Sequence, residues 1–324
     1  MMTTMTSLPD PSAGSPPPAP EPPTRPEPGS GAPDPAARDQ ARWTALADLA
    51  EHVAGRAVDL LADGLTRNQL QIETKSSSTD MVSEMDKAAE RLIVDELLAE
   101  RPDDGILGEE GSERDPSSGV RWVIDPLDGT TNYLYRHPGF AVSIAAEEAG
   151  QAVAGIVIDI AAGDRFRAVL GGGATRNDRP IAVSSETDLS RALVATGFGY
   201  DANRRRSQAA LLAQIVGEIR DIRRMGSAAL DLCSVACGRV DAYYELGLAP
   251  WDFAAGALIA EEAGASVADL AGTRPSTASG MTAPLMVAGP PGLAAALRSL
   301  LLAAGAEPPP GPAGVLRAGD RPTP

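Results

Sequence analysis

Residues 121–135 read RWVIDPLDGTTNYLY, and no other stretch narrows so far what this chain can fold into. Arg121 to Ile124 form a short, mostly apolar run that predicts a strand stopping at Asp125-Pro126. Leu127, Asp128, Gly129, Thr130 and Thr131 follow, and then residues able to start a helix. Two carboxylates three residues apart therefore fall where a strand ends and a helix begins. Carboxylate oxygens collect hard divalent cations, and the free N–H groups of a helix start collect phosphate. A site joining both suits Mg²⁺-assisted phosphoryl chemistry.

Taken alone, the same residues make an ordinary turn, since Asp, Pro, Gly and Thr all favour turns and caps. Their company changes the reading. Glu109-Glu110 follows a predicted strand at 105–108, and Trp251-Asp252 opens a helical stretch far downstream. Three separated acidic elements can converge on one two-metal cluster.

The rest of the chain alternates clear periodicities. Leu46, Ala50, Val53, Ala57, Leu60, Leu61 and Leu65 recur at three- and four-residue spacing, which predicts a helix over 41–71. A polar loop is expected at 73–80. A second helix follows over 83–101, with Ala88, Leu92, Ile93, Leu97 and Leu98 on one face. Strands are predicted at 105–108, 120–124, 140–147, 152–158 and 164–170, with two short ones within 171–183. Beyond 191 strand and helix alternate: strands at 192–196, 219–223, 241–244, 266–268 and 285–288, helices at 204–217, 227–238, 253–263 and 291–301. This reads as an antiparallel-rich α+β half over 40–190 and an α/β half over 191–306.

The ends differ from the middle. Residues 1–39 hold 12 of the 28 prolines and almost no large apolar side chain. Such a segment cannot bury enough surface to offset its ordering entropy, so it is expected to be disordered, as is 307–324. The net charge of −16 disfavours non-specific binding to nucleic acid or an anionic membrane. It does not exclude an anionic substrate, because bound metal inverts the local sign. Cys233 and Cys237, the only cysteines, lie in an apolar helical pattern and are expected to face the core rather than form a disulfide framework. MMTTMTSLPDP lacks the apolar stretch of a signal peptide, and the C-terminal apolar run near 293–305 is too short to span a bilayer. A reducing cytoplasm is the expected location.

ILGEEGSE at 106–113, WVIDPLDGTTNYLYRHPGFAVSIA at 122–145 and DAYYELGLAPWDFAAGALIAEEAGA at 241–265 closely resemble the inositol monophosphatase family. KSSSTDMVSEMD at 75–86 resembles that family's first motif, and the likeness runs in order from about residue 45 to residue 300. The resemblance implies a layered αβαβα sandwich of the inositol monophosphatase and fructose-1,6-bisphosphatase type, with its active site between the halves. It also implies two to three Mg²⁺ ions, inhibition by Li⁺, a phosphate monoester substrate and a homodimer. By the family pattern Glu109, Asp125 and the carbonyl of Leu127 hold a first cation. Asp125, Asp128 and Asp252 hold a second, and a third lies near Glu109. Glu109 and Thr130 activate the attacking water, with the Thr130 hydroxyl held by Asp86. The Gly129 and Thr130 N–H groups grip the phosphate. Lys75 and Asp80 belong to a loop near the third cation.

For the substrate, Glu245 lies seven residues before Asp252, where the family places an acid on inositol hydroxyls. Asp128 can touch a hydroxyl too, and Ala228 sits where a helix start faces the ring. Inositol 1-phosphate is the leading substrate. Related branches act on histidinol phosphate, fructose bisphosphate, nucleotide 3′-phosphates or NADP. A reading of another class is a regulatory protein of transcription or RNA processing, against which the full acid set argues.

Overall fold

In the computed structural model, residues 34–70, 78–277 and 283–307 are described. Of the expected tails at 1–39 and 307–324, residues 1–33 and 308–324 therefore lie outside the described residues, as does Lys75. The chain begins with two helices, α1 (Pro35–Leu70) and α2 (Ser78–Glu100). Strands β1 (Gly105–Gly108), β2 (Glu113–Arg114) and β3 (Val120–Asp128) lead to a short helix α3 (Thr130–Tyr135). Then come β4 (Ala141–Glu148), β5 (Gln151–Asp159), β6 (Asp164–Val169), β7 (Gly173–Arg176) and β8 (Arg179–Pro180). The second half runs β9 (Leu193–Thr196), α4 (Ala202–Ile215), β10 (Asp221–Arg223), α5 (Ala228–Ala236), β11 (Ala242–Glu245) and α6 (Pro250–Glu262). It closes with β12 (Ser266–Asp269), β13 (Met286–Gly289) and α7 (Pro291–Ala303).

The strands form two sheets. The first has eight strands in the order β2-β1-β3-β4-β5-β6-β7-β8, antiparallel except for the parallel β1–β3 pair. The second has five in the order β10-β9-β11-β13-β12, with β9 parallel to both neighbours. α1 and α2 cover one face of the first sheet, and α5 and α6 fill the space between the sheets. α7 packs on the far face of the second sheet and touches α4. The layers are therefore α, β, α, β, α, as the resemblance implies.

Each layer boundary has its own apolar core. Leu46, Val53, Leu61, Ile93 and Leu97 of the first two helices meet Trp122, Ile124 and Ile144 of the sheet. Leu232, Phe253, Leu258 and Phe166 lie among many alanines between the sheets. Val194, Val287, Leu293 and Leu297 form the third. Small residues let the middle layer close: a Cβ on Gly256 would come 3.0 Å from Leu232 Cβ. That distance is tighter than interior packing accommodates without a shift.

Three local expectations change. α1 starts at Pro35, so residues 35–39, read as tail, form its first turn and beyond. Proline suits a first helical turn because the N–H it lacks would have no partner there. Of the loop expected at 73–80, positions 78–80 fall inside α2, and 73–77 lie outside the described residues. Cys233 is buried, but Cys237 is only half-buried, because α5 has already ended at Ala236.

The strand that carries the acids does not stop at Asp125. β3 runs on to Asp128 through a register shift between these two residues, from Asp125 opposite Ser143 to Asp128 opposite Ala141. Pro126 falls inside this irregularity, and a bulge tolerates a residue that cannot donate to the ladder.

Candidate active site

The irregular end of β3 delivers two acids and a turn to one place. Asp125 is 1 % exposed, and its Oδ1 accepts the Leu127 N–H at 3.0 Å. Asp128 is half-buried at the strand's last position. Gly129 then takes φ +90°, a left-handed conformation that glycine adopts without penalty. A Cβ there would lie 2.6 Å from the Gly139 carbonyl, so the turn has no room for a side chain. α3 is held beneath by Tyr133, whose hydroxyl donates to the Leu61 carbonyl at 2.8 Å and whose ring meets Phe140 edge-on.

The other acids arrive from separate elements. Glu109 follows β1, which pairs in parallel with β3 so that Gly108 stands opposite Ile124. The Glu109 and Asp125 carboxyls are close enough to act on each other directly. Asp252 sits in the first turn of α6, where its Oδ2 accepts the Ala249 N–H at 2.6 Å. Asp86, on α2, is 3 % exposed. The Thr130 hydroxyl stands 3.5 Å from Asp86 Oδ2, the outer limit of a hydrogen bond, and 3.1 Å from the Leu127 carbonyl. Asp86 Oδ1 is buried and has no hydrogen-bond partner.

The Asp128 carboxylate is fastened from across the fold. Its Oδ2 accepts the Ser227 hydroxyl at 2.6 Å and the Ala229 N–H at 2.8 Å, both at the start of α5. The expectation for Ala228 was a helix start facing a sugar ring. The amide seen in use is that of the next residue, and it binds Asp128. Asn132 holds the same junction, with its Nδ2 donating to Gly139 O and Met225 O at 2.7 Å each. Glu245 ends β11 half-buried, accepts the Tyr243 hydroxyl at 2.8 Å, and lies over Gly197, where a Cβ would meet its carboxylate. Tyr200 is exposed beside Thr131 and is close enough to feel Glu109, Asp128 and Asp252.

These placements leave a strongly acidic patch. Burial, and then Asp252 and Asp86, push Glu109 well above the carboxylate range. Burial followed by Glu109, Asp128 and Asp252 does the same to Asp125. Burial raises Asp86 to about 8, with Glu110 and Glu90 adding to it. Burial and Asp252 raise Asp128 to about 7 against the pull of Ser227 and Ala229. Burial raises Glu245 to about 7 as well.

Among the described residues, no three His, Cys, Asp or Glu side chains are drawn together as a metal-ligand group. One oxygen each of Asp125, Asp128 and Asp252 is instead bound by a protein donor. A carboxylate has a second oxygen, and a carbonyl such as that of Leu127 a second lone pair, so each can still face a cation. Oxygen donors, mutual repulsion and the unpartnered Asp86 Oδ1 together fit a hard dication.

A pH dependence follows. The folded protein binds these protons more tightly than the unfolded chain, whose carboxylates titrate near ~4. Their contribution to stability is full below that range and lost as pH rises through about 7 to 8. In EDTA the melting temperature is expected to fall between about pH 5.5 and 8.5, and added Mg²⁺ to restore it most at the alkaline end. A metal-free melting temperature that rises over that window would contradict this electrostatic picture.

Residues 42–304 match the sequence profile of the inositol monophosphatase family. The chain belongs to that family. An inositol-1-monophosphatase of Mycobacterium bovis is 45 % identical over 267 residues, covering 79 % of this chain and 90 % of that protein. The Nus factor SuhB of Escherichia coli is 41 % identical over 230 residues, covering 69 % of this chain and 85 % of that protein. The solved structure of Mycobacterium tuberculosis SuhB aligns with a TM-score of 0.70 at 42 % identity, over 82 % of this chain and 98 % of that one. Among the described residues no helix is long and apolar enough to cross a membrane.

Asp86, Glu109, Asp125, Asp128, Asp252 and Glu245 fall on this patch or its rim. Ser227, Ala229 and Asn132 were not anticipated. Ser227 had a visible signal, since Ser before Ala-Ala-Leu is an N-cap pattern. Asn132 and the Ala229 amide had none.

Proposed function

We propose that this chain is a Mg²⁺-dependent phosphate monoester hydrolase that acts on inositol 1-phosphate, using two to three Mg²⁺ ions. The observation that carries the reading is the gathering of Glu109, Asp125, Asp128 and Asp252 from three separate elements, with other carboxylates as their strongest charged neighbours. Glu109, Asp125 and the Leu127 carbonyl would hold one cation and Asp125, Asp128 and Asp252 another, with a third near Glu109. When bound, Mg²⁺ neutralises phosphoryl oxygens, acidifies a water and stabilises the leaving alkoxide.

The chain's own groups do the rest. Glu109 and the Thr130 hydroxyl orient and activate the attacking water. Asp86 keeps the Thr130 hydroxyl aimed. The Gly129 and Thr130 N–H groups hold the phosphate, and the missing side chain at Gly129 lets it approach. Glu245 and Asp128 accept hydroxyls of the ring, and the α5 start at Ala228 lies beneath it. The name of the Escherichia coli relative raises a role as a Nus factor, but the complete acid set favours hydrolysis.

Phosphate release from a panel of monoesters, with and without Mg²⁺, tests the reading. Inositol 1-phosphate is expected to be the best substrate and EDTA to stop its hydrolysis. Equal release in EDTA would overturn the metal assignment. Preference for histidinol phosphate, fructose bisphosphate, a nucleotide 3′-phosphate or NADP would move the chain to another branch.

A further inference from the structure

Glu90 lies on α2, one turn after Asp86, and is 2 % exposed. Both of its oxygens are spent on one turn of the chain: Oε2 accepts the Glu110 N–H at 2.8 Å and Oε1 the Ser112 N–H at 3.0 Å. That turn carries Glu109. It is closed on its other side by Gly108 N–H to Ser112 O at 2.8 Å and by Glu109 N–H to Ile124 O at 3.2 Å. Gly108 leaves the room needed, since a Cβ there would lie 2.4 Å from Glu90 Oε2.

A buried carboxylate beside Asp86 and Glu110 is electrostatically unfavourable, and it raises the protonation tendency of both. Two backbone N–H bonds to a charged acceptor offset much of that. An amide or alcohol would fill the space with less repulsion but has one accepting oxygen where the turn uses two.

We infer that Glu90 is a positioning residue for Glu109. It clamps the 108–112 turn from α2, and so fixes the peptide that follows Glu109 and the direction in which the Glu109 carboxylate meets Asp125. This rests on the reading of Glu109 as a cation ligand. In E90Q one oxygen remains for one N–H, while the amide NH₂ confronts the other. The turn is then held at one point and can rotate about it.

The test is Mg²⁺ binding by calorimetry on the full chain, beside Mg²⁺-titrated hydrolysis of inositol 1-phosphate. E90Q is expected to raise the half-saturating Mg²⁺ concentration about ten- to a hundredfold in both, as loss of a group orienting a ligand does elsewhere. The KM for inositol 1-phosphate at saturating Mg²⁺ should change far less. Gly108→Ala, which displaces the Glu90 carboxylate by a methyl group, should shift Mg²⁺ binding the same way. The double variant should be no worse than the more severe single one. Gly108→Ala alone carries the test if E90Q does not fold. Unshifted Mg²⁺ binding in a folded variant, even with a lower melting temperature, would leave Glu90 a purely structural residue and overturn the inference. A wild-type chain that binds no Mg²⁺ would instead overturn the proposed function.

Discussion

Asp125→Asn is expected to lose nearly all hydrolytic activity while gaining stability in EDTA. The side chain is buried and surrounded by Glu109, Asp128, Asp252 and Asp86, which push its carboxyl well above the usual range. Asparagine keeps Oδ1 for the Leu127 N–H, and its NH₂ can donate to Glu109, so the local geometry survives. Removing one buried charge from a like-charged group relieves repulsion and raises the metal-free melting temperature. The same change removes the one acid proposed to bridge two cations. Turnover should fall by well over tenfold, more than ~1.4 kcal/mol of barrier. Circular dichroism, EDTA melting curves and Mg²⁺-titrated kinetics check both halves. A folded variant keeping more than about a tenth of the wild-type turnover, a loss under ~1.4 kcal/mol, sinks the bridging assignment.

Glu245→Gln should instead separate substrates. Glu245 stands at the end of β11, on a different element from the β3 acids, and its Oε2 is already bonded to Tyr243. Its other oxygen is the one proposed for ring hydroxyls. A hydrogen bond to a charged group is worth roughly 1.5–3 kcal/mol, so kcat/KM for inositol 1-phosphate should drop about ten- to a hundredfold. p-Nitrophenyl phosphate has no such hydroxyls and should be hydrolysed nearly as before, with the Mg²⁺ curve in place. Burial puts Glu245 at about 7, so the wild-type preference for the inositol ester should also weaken as pH falls below that value. Equal losses on both esters would assign Glu245 to the metal site or the fold. No loss on either would remove the main support for inositol specificity.

Much of the fold was legible before any coordinates. The three- and four-residue spacing of Leu46, Val53, Ala57 and Leu61 marked α1, and all four are buried. The end of β3 was harder. Pro126 suggested a strand end, whereas pairing with β4 resumes at Asp128 beyond it. A single sequence shows the proline but not the partner strand that carries the ladder past it.

What the sequence by itself determined is local: the periodicity of each element, the strand-to-helix junction with its two carboxylates, and the acids that follow β1 and open α6. These depend on neighbours within a few residues, through backbone hydrogen bonds and the helical or pleated repeat. Only the tertiary structure decided how those acids are held. Asp128 is gripped by a serine and an amide that lie 99 and 101 residues further on. Asn132 ties two carbonyls together, one of them 93 residues away. Glu90 reaches 20 and 22 residues forward to fasten the turn beside Glu109. A contact between one side chain and a distant backbone N–H or carbonyl imposes no period and no residue type on the far side. It therefore leaves no trace in a single sequence until the layers pack and bring the two ends together.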